Sequence, residues 1–198
     1  MEFNVFGKWS AKDIAVEDPG LKKYLSLKEI GSMHNSARNA NKQFSQSEIH
    51  VVERLMNKIM VTGHEGKSHK RSSGRNTGKK LLAHKIVRDA FDTIEKRVKK
   101  NPLQILVDAV SNVAPREETT MLKYGGVSYH QSVDVSPKRR LDIALRYLTV
   151  GAAKSAFKNK KSISQALAEE IILSSKHDSK CYSISRKDEI ERVAKAAR

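Results

Sequence analysis

Scarce residues exclude several classes of protein at the outset. The 198 residues include one cysteine, Cys181, so neither an intrachain disulfide framework nor a cysteine-rich zinc site is available. No apolar run approaches the roughly 18 residues that a membrane-spanning helix needs. The first residues include an acidic side chain and no apolar stretch of signal-peptide length. We therefore expect a cytoplasmic protein with one domain and extensions.

Acidic residues are scarce relative to basic ones. Lys and Arg total 38, Asp and Glu total 22, and the formal net charge is +16 at pH 7. An excess this large opposes compaction, so it indicates an anionic partner. Nucleic acid is the common partner of this kind, and an anionic membrane surface is the rival.

Motifs for catalysis, cofactor binding and metal binding are incomplete. Gly66-Lys67-Ser68 matches the end of a phosphate-binding loop, but Val61 lies where that motif requires glycine. His64 and His69 have no third ligand nearby, whereas zinc sites use close pairs. Glu117-Glu118 would point to opposite faces of a strand, which does not suit acid–base work across a cleft. We expect no enzymatic activity, cofactor or metal.

Apolar residues recur at helical spacing in about six segments, which is typical of helices with one buried face. Asn101-Pro102 and Ser136-Pro137 each combine a capping residue with proline at the first helical position. Ser162 and Gln165 form a capping box, and Ser47 and Ser185 are expected to cap the first and last helices. The predicted inward-facing residues include Leu55, Leu82, Phe91, Leu106, Leu145, Ile171 and Val193.

The segment at about 116–135 is predicted to form a two-stranded ribbon. Here the spacing changes to alternation of apolar and polar residues. Two such stretches meet at Gly125-Gly126, a pair that accommodates the positive φ angles of a tight hairpin. The predicted fold is therefore mainly α, a bundle of about six helices with one protruding two-stranded β-hairpin.

The register of the ribbon decides which side chains meet. If Tyr124 pairs with Val127, then Leu122 faces Tyr129, and Lys123 lies on the opposite face. An isolated ribbon is at best marginally stable in water, so these residues either fold back onto the helices or contact a partner. Aromatic rings beside cations suit stacking on unpaired RNA bases.

Three basic clusters lack interleaved acidic residues: 67–80, 138–140 and 154–161. The first is a glycine-rich stretch that we expect to form a mobile basic loop. The second lies in the first turn of a helix, where each cation costs roughly 0.3–1 kcal/mol against the helix dipole. A bound phosphate would offset that cost, although a charge run is usually only a solvated face. The candidate RNA contacts are Lys67, Lys70, Arg71, Arg75, Lys79, Lys80, Lys138, Arg139, Arg140, Lys154 and Lys158.

The chain divides by composition into an N-terminal extension at 1–45 and a helical RNA-binding domain at 46–198. Residues 34–44 contain almost no apolar side chain, so they are either an arm that becomes ordered on a partner or a plain flexible tail. We expect Phe6 and Trp9 to dock on the helical body.

Six motifs follow one another from about residue 34 to the last residue. They are Val51-Val52-Glu53-Arg54-Leu55, Thr77-Gly78-Lys79-Lys80-Leu81, Asn101-Pro102-Leu103-Gln104, Pro115-Arg116-Glu117, Asp134-Val135-Ser136-Pro137 and the stretch 186–195. With these motifs in this order, the chain resembles the family of small-subunit ribosomal protein seven in its archaeal and eukaryotic form.

The resemblance implies a helical body with a protruding ribbon and binding to the 3′ major (head) domain of small-subunit ribosomal RNA. It implies that the protein nucleates head assembly among neighbouring small-subunit proteins, away from any membrane. It places the ribbon near exit-site tRNA and the mRNA path. The contacts that it implies are Arg38, Lys42, Lys79, Lys80, Arg116, Lys123, Tyr124, Tyr129, Lys138, Arg139 and Arg140.

Two other hypotheses stay open at this stage. The alternative function is a basic architectural DNA-binding protein. The helices show no pair spaced as a helix-turn-helix, which favours RNA over sequence-specific DNA binding. A regulator that represses its own messenger RNA could coexist with the ribosomal function, because one surface could serve both.

Overall fold

The computed structural model describes residues 4–28, 32–62 and 76–198. These residues form seven α-helices and one two-stranded antiparallel sheet, so the mainly α class with one hairpin is confirmed. In chain order the elements are α1 (Pro19–Lys22), a 3₁₀ helix (Ser45–Glu48), α2 (Val51–Ile59), α3 (Lys80–Val98), α4 (Pro102–Val113), β1 (Glu117–Tyr124), β2 (Val127–Asp134), α5 (Pro137–Ala156), α6 (Ile163–Ser175) and α7 (Tyr182–Ala196).

Helix α6 lies at the centre of the body and packs against α3, α4 and α5. The stripes predicted from helical spacing supply most of the core, and each fully buried large side chain contributes roughly 1.5–3 kcal/mol. The largest fully buried side chains include Leu55, Met56, Phe91, Ile94, Leu103, Leu106, Leu145, Leu148, Leu167 and Ile171.

Two residues predicted to face the core are exposed instead. Leu82 is 42% exposed because Ala83, and not Leu82, faces the body in the first turn of α3, where Ala83 is buried. Val193 is 50% exposed because α7 is a surface helix that buries only Ser183, Ile184 and Ala194.

The predicted helix starts at Asn101 and Ser162 are confirmed, whereas those at Ser47 and Ser185 are not. Asn101 and Ser162 cap α4 and α6, since their side-chain oxygens accept from the backbone N–H groups of Leu103 and Gln165. The Ser47 prediction is wrong: its hydroxyl donates to the carbonyl of Phe44 within the 3₁₀ helix. The Ser185 prediction is also wrong.

Helix α7 begins three residues before Ser185 because its first turn is bound to a buried carboxylate. The backbone N–H and the hydroxyl of Ser183 both donate to Glu170 Oε1, at 2.8 and 2.5 Å. Burial raises the pKa of Glu170, although the hydrogen bonds from Ser183 lower it. This contact joins α6 to α7 and fixes where α7 starts.

The N-terminal segment shares the core of the helices. Val5, Trp9 and Leu21 are buried, and the Trp9 ring meets Phe91 edge-on at 5.6 Å between centroids. The expectation that Phe6 and Trp9 dock on the body is confirmed. A division of the chain at residue 45 stays a prediction, but the first segment packs as part of the same body.

The ribbon has the predicted register. Tyr124 pairs with Val127 and Leu122 pairs with Tyr129, and Gly125 and Gly126 have φ angles of +55° and +84°. Both turn residues therefore have the positive φ angles that the glycine pair predicts.

The base of the ribbon contacts α7, whereas its tip does not fold back onto the helices. Ser132 N donates to the carbonyl of Ala197 at 3.3 Å, and Glu117 forms an ion pair with Arg198. At the tip, Tyr124 is 67% exposed and Tyr129 is 56% exposed. The rings therefore do not fold back onto the helices, and their contact with a partner stays a prediction.

His50 is the N-cap of α2, and burial keeps its ring neutral in the folded protein. Its Nδ1 accepts from the backbone N–H of Val52 at 3.2 Å. Burial lowers the pKa of His50 to about 4, against the opposing attraction of Glu53. The unfolded chain takes up a proton at this ring near pH 6.5, so stability from the neutral ring is lost as pH falls from about 6.5 toward 4.

We predict that the free energy of unfolding falls by about 3 kcal/mol more over this pH range in the unaltered chain than in His50→Asn. Asparagine retains an oxygen that can accept from Val52 and removes the titrating ring. Urea unfolding at several pH values measures the difference. His130→Asn changes an exposed ribbon histidine and should behave like the unaltered chain. The same pH dependence in His50→Asn would contradict the prediction.

Candidate nucleic-acid interface

A groove with basic walls lies beside the first half of α5. Its volume is about 330 Å³. Residues 139, 142, 143 and 146 recur at spacings of three and four, so they share one face of α5. Packing of α2 against α5 completes the groove with a lysine from the last turn of α2. The lining residues are Lys58, Ser136, Lys138, Arg139, Asp142, Ile143 and Arg146.

The acidic residue in this lining is already paired with two cations. Asp142 Oδ1 lies 3.3 Å from Nη2 of the buried Arg54, beneath the groove, and 3.4 Å from Nζ of Lys58, which itself lines the groove. Burial lowers the pKa of Arg54, and the attraction of Asp142 opposes that shift. The single carboxylate offsets only one of these two positive charges, and Lys138, Arg139 and Arg146 add to the excess, so the groove as a whole is positive.

The start of α5 can contribute backbone donors to an anion in the groove. Ser136 is the N-cap, but its side chain makes no capping hydrogen bond. The first backbone N–H groups of a helix have no partner within the helix, and together with nearby cations they suit phosphate. The predicted anion site at Lys138 and Arg139 therefore has the donors that it requires.

Arg139 connects this groove to the ribbon. Its Nε lies 2.6 Å from Glu118 Oε1 on β1, and the hydrogen bond to Glu118 raises the pKa of Arg139. The Arg139 side chain is 59% exposed, and exposed ion pairs contribute only about 0–1 kcal/mol. A phosphate can therefore replace Glu118 as the partner at small cost.

Two predicted contact residues have structural partners instead. Arg140 is 9% exposed; its Nη2 lies 2.6 Å from Asp18 Oδ2 and its Nε donates to the carbonyl of Pro115. Lys80 Nζ lies 2.5 Å from the buried carboxylate of Glu53. Both residues were predicted to contact RNA because these partners are distant in the sequence and no local pattern reveals them.

The pKa of Asp18 reflects the strength of its pairing with Arg140. Burial alone would raise it, but the hydrogen bond and charge of Arg140, with the backbone N–H groups of Gly20 and Leu21, lower the pKa below its usual value. Asp18 is thus charged in the folded protein, which makes Arg140 a structural cation.

The N-terminal arm ends beside the groove. Arg38 and Lys42 are exposed in a series of turns. The arm ends at Phe44, which is 68% exposed. The centroid of the Phe44 ring lies 5.9 Å from Lys138 Nζ. The structure therefore brings the arm and the start of α5 together, although nothing in the sequence pattern predicts the proximity of Phe44.

The remaining predicted contacts lie in separate places. Arg116 and Lys123 are exposed at the base and tip of the ribbon, and Lys79 is exposed at the start of α3. At the far end of α5, Lys154 Nζ lies 4.2 Å from the centroid of the Tyr182 ring and Lys158 adjoins Phe157. Four predicted contacts fall outside the described residues: Lys67, Lys70, Arg71 and Arg75.

Lys58 and Arg146 line the groove but are not among the RNA contacts predicted from the sequence. Arg146 could have been predicted from the sequence, because it follows Arg139 by two helical turns on the same face of α5. Lys58 could not have been predicted in this way, since its position depends on how α2 packs against α5. Within the described part of the chain no metal-ligating cluster occurs, and no helix is long and apolar enough to cross a membrane.

Comparison with known proteins identifies similar chains. A family model described as ribosomal protein S7p/S5e matches residues 27–198. The protein named small ribosomal subunit protein uS7 of Methanosphaera stadtmanae is 48% identical over the whole of both chains. The protein of that name from Archaeoglobus fulgidus is 47% identical over all of this chain and 96% of its own. The one from Methanothermobacter thermautotrophicus is 48% identical over 98% of each.

We predict that Lys138→Ala combined with Arg146→Ala weakens RNA binding and lowers its salt dependence. The slope of log K against log salt should fall by about 1.4–1.8, because each lost phosphate contact removes roughly 0.7–0.9. Filter binding at several salt concentrations measures the slope.

The matched control is Lys176→Ala with Lys180→Ala. It removes the same charge from exposed positions in the loop before α7. A slope equal to that of the control would contradict the role of the groove.

Proposed function

This chain belongs to the ribosomal protein S7p/S5e family, whose members are structural proteins and not enzymes, and on that premise we propose that it is an RNA-binding protein of the small ribosomal subunit. It binds the 3′ major domain of small-subunit ribosomal RNA and nucleates assembly of the head. Its partners are that RNA and the neighbouring small-subunit proteins in the cytoplasm. Its ribbon reaches toward exit-site tRNA and the mRNA path.

The observation that carries this proposal is the continuity of the α5 groove with the ribbon. The ion pair between Arg139 and Glu118 joins the two surfaces, and the arm ends beside Lys138. A phosphate backbone lying in the groove would therefore reach three parts of the protein at once. Such contacts fix position and register on RNA without reading its sequence.

Helix α5 offers basic side chains at both of its ends. Lys138 and Lys154 are 16 residues apart on this helix, which corresponds to roughly 24 Å along the helix axis. One helix can therefore contact two separate RNA segments, and the protein neutralises phosphates where those segments pack against each other. These contacts use part of the excess positive charge that gives the protein its net charge of +16.

The side chains at the tip of the ribbon suit an RNA partner better than duplex DNA. Tyr124 and Tyr129 lie on one face of the tip, both are exposed, and Lys123 lies on the other face. Exposed aromatic rings stack on unpaired bases, which structured RNA offers in loops and bulges and duplex DNA does not. A partner with single-stranded segments therefore fits the tip better.

Crosslinking in living cells followed by RNA sequencing tests the function. We predict adducts concentrated in the 3′ major domain of small-subunit ribosomal RNA, and fewer of them in the Lys138→Ala, Arg146→Ala variant. In a parallel binding assay, structured RNA should compete for the protein better than duplex DNA does. Adducts spread evenly over cellular RNA, or stronger competition by DNA, would refute the proposal.

We predict that deletion of residues 119–131 leaves the helical body folded but disturbs the exit region of the ribosome. The deletion retains Glu118, Arg139 and the contact of Ser132 with α7. Circular dichroism and thermal unfolding report on the body, and retention of deacylated tRNA by purified ribosomes reports on the exit site. The double variant Tyr124→Ala, Tyr129→Ala is the milder version. Loss of folding in the deletion would show that the ribbon is structural.

A further inference from the structure

A second cavity lies between the N-terminal segment and the start of α3, and it shares no lining residue with the α5 groove. Its volume is about 720 Å³, within the range of roughly 300–1,000 Å³ that is typical of small-ligand sites. Its walls are formed by residues from four places in the chain: 4, 6 and 7; 32–34; 56; and 78–82 with 84.

The interior of this cavity is apolar and aromatic. Met33 and Met56 are buried in its lining. The rings of Phe6 and His84 meet edge-on in the same wall, with 4.8 Å between centroids and 87° between planes. Phe6 has a φ of +54°, which is unusual for a bulky residue. The fold thus maintains an unfavourable backbone conformation where an aromatic ring enters the wall.

The titratable side chains in the described lining are all basic: His34, Lys79, Lys80 and His84. Lys80 is neutralised by Glu53, and Glu53 Oε1 also accepts from the backbone N–H of Asn35 at 2.8 Å, which fixes the neighbouring wall. Lys79 is exposed, and its side chain makes no capping bond at the start of α3. The remaining positive charge therefore lies at the rim.

Two exposed leucines flank the basic rim. Leu81 is 88% exposed and Leu82 is 42% exposed, and both line the cavity. Adjacent large apolar side chains in contact with a concave apolar surface are typical of a site that a partner covers. An occupant must therefore combine a flat or apolar part for the interior with negative charge at the rim.

We propose that this cavity binds one unpaired nucleobase of RNA, with the phosphate of that nucleotide at Lys79 and the start of α3. The inference rests on the proposed function and adds a specific site to it. A base has apolar faces, one of which can stack on the ring of Phe6 or of His84, and polar edges that imidazole and amide groups can contact. The basic rim and apolar interior match the two parts of one nucleotide.

The test uses the full-length protein, transcribed small-subunit ribosomal RNA and no other protein. His84→Ala removes a ring from the wall, and Ser32→Trp places an indole at the mouth without removing a lining ring. Each variant should bind the RNA about tenfold more weakly, within the range for loss of one stacked base. Thermal unfolding should show that both variants remain folded at the assay temperature. Ser179→Trp, at an exposed position before α7, is the control for the added indole.

Unchanged RNA affinity in both variants would overturn this inference. If the same variants then enter small subunits poorly when all ribosomal proteins are present, the occupant is a segment of a protein. The proposed function has a separate readout, because the Lys138→Ala, Arg146→Ala variant must still weaken RNA binding. If the cavity variants alone leave RNA affinity unchanged, the base site is refuted, whereas unchanged affinity in both sets also refutes RNA binding in the α5 groove.

Discussion

The position of Arg140 determines how the separate parts of this protein meet. Its guanidinium contacts Asp18 at 2.6 Å and the carbonyl of Pro115 at 3.2 Å. One side chain therefore joins the N-terminal segment, the end of α4 and the start of α5. The ribbon leaves the body directly after Pro115, and the basic groove begins beside Arg140, so both candidate RNA surfaces take their orientation from this contact. A buried charge without its partner is strongly destabilising, which makes this arrangement an all-or-none feature of the fold.

Three carboxylates of this basic protein pair with cations that are buried or mostly buried. Asp18, Glu53 and Asp142 neutralise Arg140, Lys80 and Arg54 respectively. These pairs leave positive charge concentrated on the surface, at the groove, the rim of the second cavity and the ribbon. The stability of the body and the attraction for polyanions thus depend on different cations, although the two sets are neighbours in the sequence. Arg139 and Arg140 show the separation most clearly, since one is exposed and the other is buried.

The sequence predicts the features of this fold that depend on local chemistry. Helical spacing identifies the buried stripe of α5, and the glycine pair at 125–126 fixes the ribbon register, because both signals lie within a few residues. It does not predict that His50 caps α2 or that α7 begins at Tyr182, because those starts depend on local packing and on Glu170 from another helix. The same distinction between local and long-range determinants applies to the candidate site. Lys138 and Arg139 could be found from their place in a first turn, whereas Lys58 depends on helix packing.

The lone thiol has a practical consequence for studying this protein. Cys181 is 2% exposed, and its Sγ donates to the carbonyl of Asp178 at 3.1 Å. Reaction with a maleimide requires an accessible thiolate, so this side chain is shielded from such reagents while the protein is folded. A cysteine introduced at the end of the ribbon would then take up a fluorophore selectively, without removal of the native residue. With a second fluorophore on the body, energy transfer would report the distance between the ribbon and the helices in single particles.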